Sequence, residues 1–247
     1  MADSQDFRRR GLLLAATAAA GAGLLLPAGP GLAAERTKGG GGAGQEKEVG
    51  AVEDLMREHG VLRRALLVYM ETAPKLRADP GSVPPDALKR TATLFRAFGE
   101  DYHERKLEEA HIFPAVKKAG GPAASLVDVL KAQHDRGREV TDYIVAVAAK
   151  GAAIGSGDAD ALARVLESFV LMYENHAARE DTVVFPAWKQ ALSNRQLHEM
   201  GERFEEIEKK QFGHDGFEDA VKQIGEIEQA LGVADIAQFT TPPPPKA

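Results

Sequence analysis

Asn175-His176-Ala177-Ala178-Arg179-Glu180-Asp181-Thr182-Val183-Val184-Phe185-Pro186 sets a histidine and a glutamate four residues apart. On a helix the two side chains share a face, which also carries Leu162, Val165, Phe169, Tyr173, Val184 and Trp188. An imidazole and a carboxylate therefore point into a core. Burying such a pair unpartnered is costly, and a metal ion is the usual compensation. A histidine hydrogen-bonded in the core beside a capping glutamate would give the same local pattern.

Three more histidines lie on apolar stripes of helical period. His59 falls among Val52, Leu55, Met56, Leu62, Leu66 and Met70 in a segment from about residue 48 to 77. His103 belongs to a second segment, about 86 to 118, with Leu88, Phe95, Phe98, Tyr102, Ile112 and Val116. His134 lies in a third, about 123 to 150, with Val127, Leu130, Ile144 and Ala148. Asp79-Pro80-Gly81, Pro84-Pro85, Gly120-Gly121-Pro122 and the loop 151–157 separate the segments. Asp158 or Asp160 is the expected N-cap of the fourth, which ends near Ala191. Ser193 is expected to cap a charged helix to about Gln211, followed by a short helix from about Phe217 to Leu231. No strand pattern competes, so the expected fold is all-α: an antiparallel up-down-up-down four-helix bundle over 49–191 with a helical extension over 192–232. The Pro-rich stretch 233–247 is expected to be disordered.

The chain repeats itself. Glu108-Glu109-Ala110-His111-Ile112-Phe113-Pro114-Ala115-Val116-Lys117 is echoed by Glu180-Asp181-Thr182-Val183-Val184-Phe185-Pro186-Ala187-Trp188-Lys189, and the paired histidines keep nearly the same offset. At about 1.5 Å of rise per residue, His59 and His134 stand at matching distances from the starts of their helices. His103 and His176 stand at matching distances from the ends of theirs. In an up-down-up-down bundle all four imidazoles reach one level, with Glu108 and Glu180 nearby. Six such ligands suit two iron or manganese ions better than one tetrahedral zinc.

Composition narrows the partners. A formal net charge of −6 with no basic run inside the bundle argues against nucleic acid. The absence of cysteine excludes disulfides, thiol catalysis and cysteine-held metal sites, leaving histidine and carboxylate as ligands. Arg8-Arg9-Arg10-Gly11-Leu12-Leu13, an Ala/Gly-rich apolar run to Leu26, and Ala33-Ala34 outline an export signal over 1–34. The paired arginines resemble the twin-arginine type, which implies the twin-arginine export machinery as a partner, a periplasmic or otherwise exported location, and no stable membrane association after cleavage. An uncleaved anchor or an ordinary secretory signal shares this outline. Residues 35–48, with Gly39 to Gly42 in a row, read as a flexible linker.

The stretch from about Val49 to Gln190 resembles the hemerythrin-like, HHE cation-binding family. The matching residues are His59 in Arg57-Glu58-His59-Gly60, His103 and Glu108 before Ile112-Phe113-Pro114, His134 in Gln133-His134-Asp135, and His176 with Glu180 before Val184-Phe185-Pro186. The resemblance implies a non-haem di-iron centre with an oxo or hydroxo bridge, the histidines as terminal ligands, and Glu108 and Glu180 bridging. It also implies dioxygen, nitric oxide or peroxide as the small molecule bound. Oxygen carriers of the family have five histidines, so four favour redox chemistry or sensing. The expected function is an exported di-iron protein that binds or reduces a small oxidant. Reversible storage or sensing without turnover, and a structural bundle with adventitious metal, are the alternatives.

The second helix departs from the pattern, because five residues separate His103 from Glu108, about 140° around a regular helix. A π-type bulge between Tyr102 and Leu107 would restore the pair. The alternative puts Glu104 in the ligand position with His103 turned away. Glu108-Glu109-Ala110-His111 also spells Glu-x-x-His, but the ferritin-type site needs that motif twice. His111 is therefore a partly buried side chain or a fifth imidazole, and His198 and His214 are expected at the surface.

Overall fold

The computed structural model describes residues 49–150 and 153–245, so the expected signal and the whole of the expected linker lie outside the described residues. Among the described residues there is no strand. Each segment of helical period is helical. Helix α1 spans Ala51–Ala78. The second rod is continuous: α2 (Pro85–Leu94), a π-helical stretch Phe95–Ile112, and α3 (Phe113–Ala119). A single turn, α4 (Gly121–Ala124), leads to α5 (Val127–Ala148). The fourth rod is α6 (Ser156–Arg179), a short π stretch Glu180–Val184, and α7 (Phe185–Gln190). Helices α8 (Asn194–Phe212) and α9 (Gly216–Leu231) follow, then a 3₁₀ turn at Ile236–Phe239.

Two local expectations are corrected. The N-cap of α6 is Gly155, with no side-chain cap, so Asp158 stands in the first turn and neither aspartate caps. Met56 and Met70 are 43% and 46% exposed, because the buried stripe of α1 runs through Leu55, His59, Leu62, Leu66, Tyr69 and Ala73, about 100° away per residue. Ser193 does cap α8, in a reciprocal box with Gln196.

Helix α1 lies along α6 and α2 lies along α5, while α5 also meets α6 and α1 also meets the long π stretch. Their facing stripes make one core. Leu66, Leu88, Phe95, Ile144, Leu162 and Leu166 are fully buried, and burying such a side chain stabilises the fold by about 1.5–3 kcal/mol. Phe95 packs edge-on against Phe169 at 5.0 Å and Tyr173 at 4.9 Å between ring centroids, just below the histidine level. Gly137 is required by this packing, since a Cβ there would overlap the Tyr173 hydroxyl.

The end of each π stretch has an identifiable cause. Proline has no N–H, and its ring collides with the carbonyl four residues back, a clash that one widened turn relieves. Before Pro114 and Pro186 the turn widens by one residue: the Phe113 N–H donates to the Glu108 carbonyl, and the Phe185 N–H donates to the Glu180 carbonyl. The repeated Phe-Pro thus ends a π turn that begins at a glutamate in both halves of the chain. The sequence predicted one bulge between Tyr102 and Leu107; the winding extends well beyond it on both sides and recurs in the fourth rod.

The C-terminal helices close over one side. Helix α8 touches α1 and the long π stretch, and α9 packs on α1 and α2. Phe204 stacks on Trp188 at 5.7 Å, and Phe212 meets Tyr102 edge-on at 5.3 Å. Arg64 grips Glu228 with two hydrogen bonds of 2.8 and 2.5 Å. Gly213, at φ +77°, makes the left-handed turn that folds α9 back.

Candidate metal centre

His59, His103, His134 and His176 are each no more than 3% exposed, and Glu108 and Glu180 are fully buried. The structure brings all six together. Donor atoms of Glu108, His134, His176 and Glu180 lie within 4.8 Å of one another, as do those of His59, His103 and Glu108. Every imidazole turns Nε2 inward. One Glu108 oxygen is 3.3 Å from His103 and the other 3.3 Å from His134, so this carboxylate faces both groups. Glu180 likewise lies 3.0 Å from His176, 3.6 Å from His59 and 4.0 Å from His134.

On π winding, residues five apart are joined by one hydrogen-bonded turn, which aligns His103 with Glu108. Glu104 is buried and its oxygens are already engaged: it accepts from the Tyr173 hydroxyl at 2.8 Å and from Arg138 at 3.2 Å, while His103 and not Glu104 faces Glu108. The arrangement with His103 facing away is therefore not the one adopted. His111 faces Phe204, 5.9 Å between ring centroids, and belongs to neither group. His198 and His214 are more than half exposed on the extension.

The outward nitrogens form a pattern that the sequence reading missed. His59 Nδ1 lies 2.7 Å from Asp181, His103 Nδ1 2.5 Å from Glu58, His134 Nδ1 3.0 Å from Glu109, and His176 Nδ1 2.9 Å from Gln133. Each partner is the chain neighbour of one predicted ligand and orients the imidazole of another rod. The first rod serves the second, the second the third, the third the fourth, and the fourth the first. Such bonds fix the tautomer, leaving the Nε2 lone pair for an ion. The signal was adjacency: Glu58, Glu109, Gln133 and Asp181 sit about 100° around the helix from the inward face, toward the neighbouring rod.

The residues present fit a metal. His103 Nε2 and all four carboxylate oxygens of Glu108 and Glu180 are buried without a hydrogen-bond partner. Buried carboxylates left like this are strongly destabilising unless a cation joins them. His134 Nε2 and His176 Nε2 are 3.1 Å apart. Two donors each about 2.1 Å from one ion and at right angles to each other would stand about 3.0 Å apart.

Without a cation, protons must balance the carboxylates. Burial pushes Glu180 well above the usual range, and Glu108 adds to it. Burial disfavours charge on Glu108 as well, but His103 and His134 outweigh it and hold this carboxyl well below its usual range. Burial opposes charge on His134 too, yet Glu104, Glu108 and Glu109 raise it to about 10. Burial and then the His134 charge push His176 down to about 3.

A cavity of about 20 Å³ adjoins the cluster, walled by Leu62, Leu66, Phe95 and Ala177. That exceeds the space a single water needs, about 10–15 Å³.

Six inward donors on four rods, held from behind by a ring of oxygens, form a buried His/Glu cluster able to hold metal within a helical domain. The chain belongs to the hemerythrin HHE cation binding domain family, whose model matches residues 50–188. Uncharacterized proteins of Mycobacterium tuberculosis and Mycobacterium bovis are each 44% identical over 196 residues, covering 79% of this chain and 76% of theirs. No solved structure matches.

Proposed function

We propose that the protein is an exported non-haem di-iron protein that binds or reduces a small oxidant: dioxygen, peroxide or nitric oxide. The observation that carries this reading is the set of unpartnered buried oxygens on Glu108 and Glu180, at the meeting point of four imidazoles and beside a small, mostly apolar cavity. His59 and His103 would hold one ion, and His134 and His176 the other. Glu108 and Glu180, each facing both groups, would span them. A pair of irons supplies electrons in ones or twos and an open position for a diatomic ligand. The protein's own part is to exclude water with Leu62, Leu66 and Phe95, and to fix each imidazole through its Nδ1 partner.

This reading includes an antiparallel up-down-up-down arrangement of the four rods, supported by the packing of α1 on α6 and of α2 on α5. It also includes export through the twin-arginine machinery, supported by Arg8-Arg9-Arg10 before the apolar run. That route lets metal enter the folded chain before translocation. Among the described residues no helix is long and apolar enough to cross a membrane.

Reversible binding without turnover is the second reading, favoured by the apolar wall of the cavity. The test is anaerobic metal analysis with absorption spectra after separate additions of oxygen, peroxide and nitric oxide. Two irons per chain with ligand-dependent spectra are expected. A spectrum that returns to its start when oxygen is removed assigns the reversible role, and metal-free protein of equal melting temperature ends both readings.

A further inference from the structure

Every residue lining the cavity beside the cluster is buried except Arg63, whose side chain is 35% exposed. The route from solvent to the centre therefore opens where Arg63 stands on α1; Ala177 on α6 lines the same cavity from its buried side. Arg63 is also tethered. One of its Nη groups donates to Asp181, and the other oxygen of that carboxylate lies 2.7 Å from His59 Nδ1. An arginine carries five N–H donors, so those not engaged by Asp181 remain for a molecule in the mouth.

We infer that Arg63 is the entrance residue of the centre: it narrows the mouth, and its fixed cation makes the cavity favour a small monoanion over a neutral molecule of similar size. This inference rests on the proposed di-iron reading. The physical ground is placement. A guanidinium at the rim of a buried pocket focuses its field inward; the apolar part of the wall, Leu62, Leu66, Phe95 and Ala177, offers no donor, and Glu108 and Glu180 would be engaged by the ions. The tether gives the gate a second effect, because swinging Arg63 aside also loosens the aspartate that orients His59.

The experiment uses the iron-loaded full chain with azide as the anionic probe and nitric oxide as the neutral one. Arg63→Gln removes the charge and part of the bulk; Arg63→Lys restores the charge. At equal iron content, Arg63→Gln should weaken azide binding about tenfold, about 1.4 kcal/mol, while nitric oxide associates as fast as in the unaltered protein or faster. Arg63→Lys should recover most of the azide affinity, and added salt should weaken azide in the unaltered protein more than in Arg63→Gln. Ala177→Leu, which fills part of the same cavity, should slow association of both probes without changing iron content. Azide affinity in Arg63→Gln within twofold of the unaltered protein overturns the charge argument. Unchanged rates in Ala177→Leu overturn the route through this cavity. If the unaltered protein takes up no iron, the di-iron reading fails and this inference with it, an outcome distinct from equal binding by loaded variants.

Discussion

His59 and His103 set their Nδ1 atoms against carboxylates, Asp181 and Glu58, whereas on the other side His134 has Glu109 but His176 has only the amide of Gln133. A carboxylate behind an imidazole makes it a stronger donor to metal; an amide orients it without adding charge. The two halves also differ in winding, since the His103 pair spans five residues and the His176 pair four, yet both glutamates arrive at the same place. The lesson is that equal position does not require equal sequence spacing, and equal position does not make equal ligands.

The hardest test of a shared centre is Glu108→Ala, because this residue belongs to both groups of converging donors. Metal affinity should fall by more than the roughly 100-fold that loss of an orienting partner costs at most, measured by titration of the apoprotein. Retention of full stoichiometry would mean that the halves bind independently.

Next come two single-residue deletions. Removing Ala178 should rotate Glu180 by about 100° and abolish iron loading. Removing Lys106, an exposed residue inside the π stretch, should let His103 and the following glutamate pair across a regular α turn and keep most of the iron. Equal losses in both would show that winding is not what reconciles the two spacings.

Smaller is the effect of the orienting partners. Glu58→Gln should weaken metal binding by about 10–100-fold, and Gln133→Glu should strengthen it or leave it unchanged. Titrations that rank these the other way would remove charge as the distinction between the halves.

Least in size is a pH effect on the Glu58 side, where the extension covers the bundle. Burial, and then the Glu58 charge, push Glu208 of α8 up to about 7, against the Phe217 N–H that favours its ionised form. A folded-state value above the unfolded one adds stability fully below about 4.5, and that stability disappears as pH rises through about 7. Discounted for partial exposure, Glu208→Gln should stabilise by about 1 kcal/mol at pH 8 and by nothing at pH 4. Urea midpoints at the two pH values measure it.

Much of the cluster was legible in the sequence because inward donors must lie on apolar stripes: His59, His134 and His176 follow the 3.6-residue period, and the six predicted residues fall in two groups of converging donors that share Glu108. The bulge was legible because the stripe slipped between Tyr102 and Leu107. Its full extent was not: Pro114 and Pro186 mark where the widened turns end, and no residue pattern marks where the long stretch begins at Phe95. The orienting residues were hidden for another reason. Glu58, Glu109 and Asp181 look like solvent-facing charge in a helix, and only the packing of rod against rod reveals that each meets an imidazole. Met56 and Met70 failed in the opposite sense, since apolar type drew them toward a core that the geometry of α1 denies them.

Because every rod both lends a donor and braces the next one's, the orienting bonds close on themselves with no first or last member. Peeling away any single rod severs two of the four links and frees two imidazoles to turn. The four rods should therefore share one fate: amide hydrogens around His59, His103, His134 and His176 should exchange together at a common rate, without a partly opened form in which three rods keep their grip.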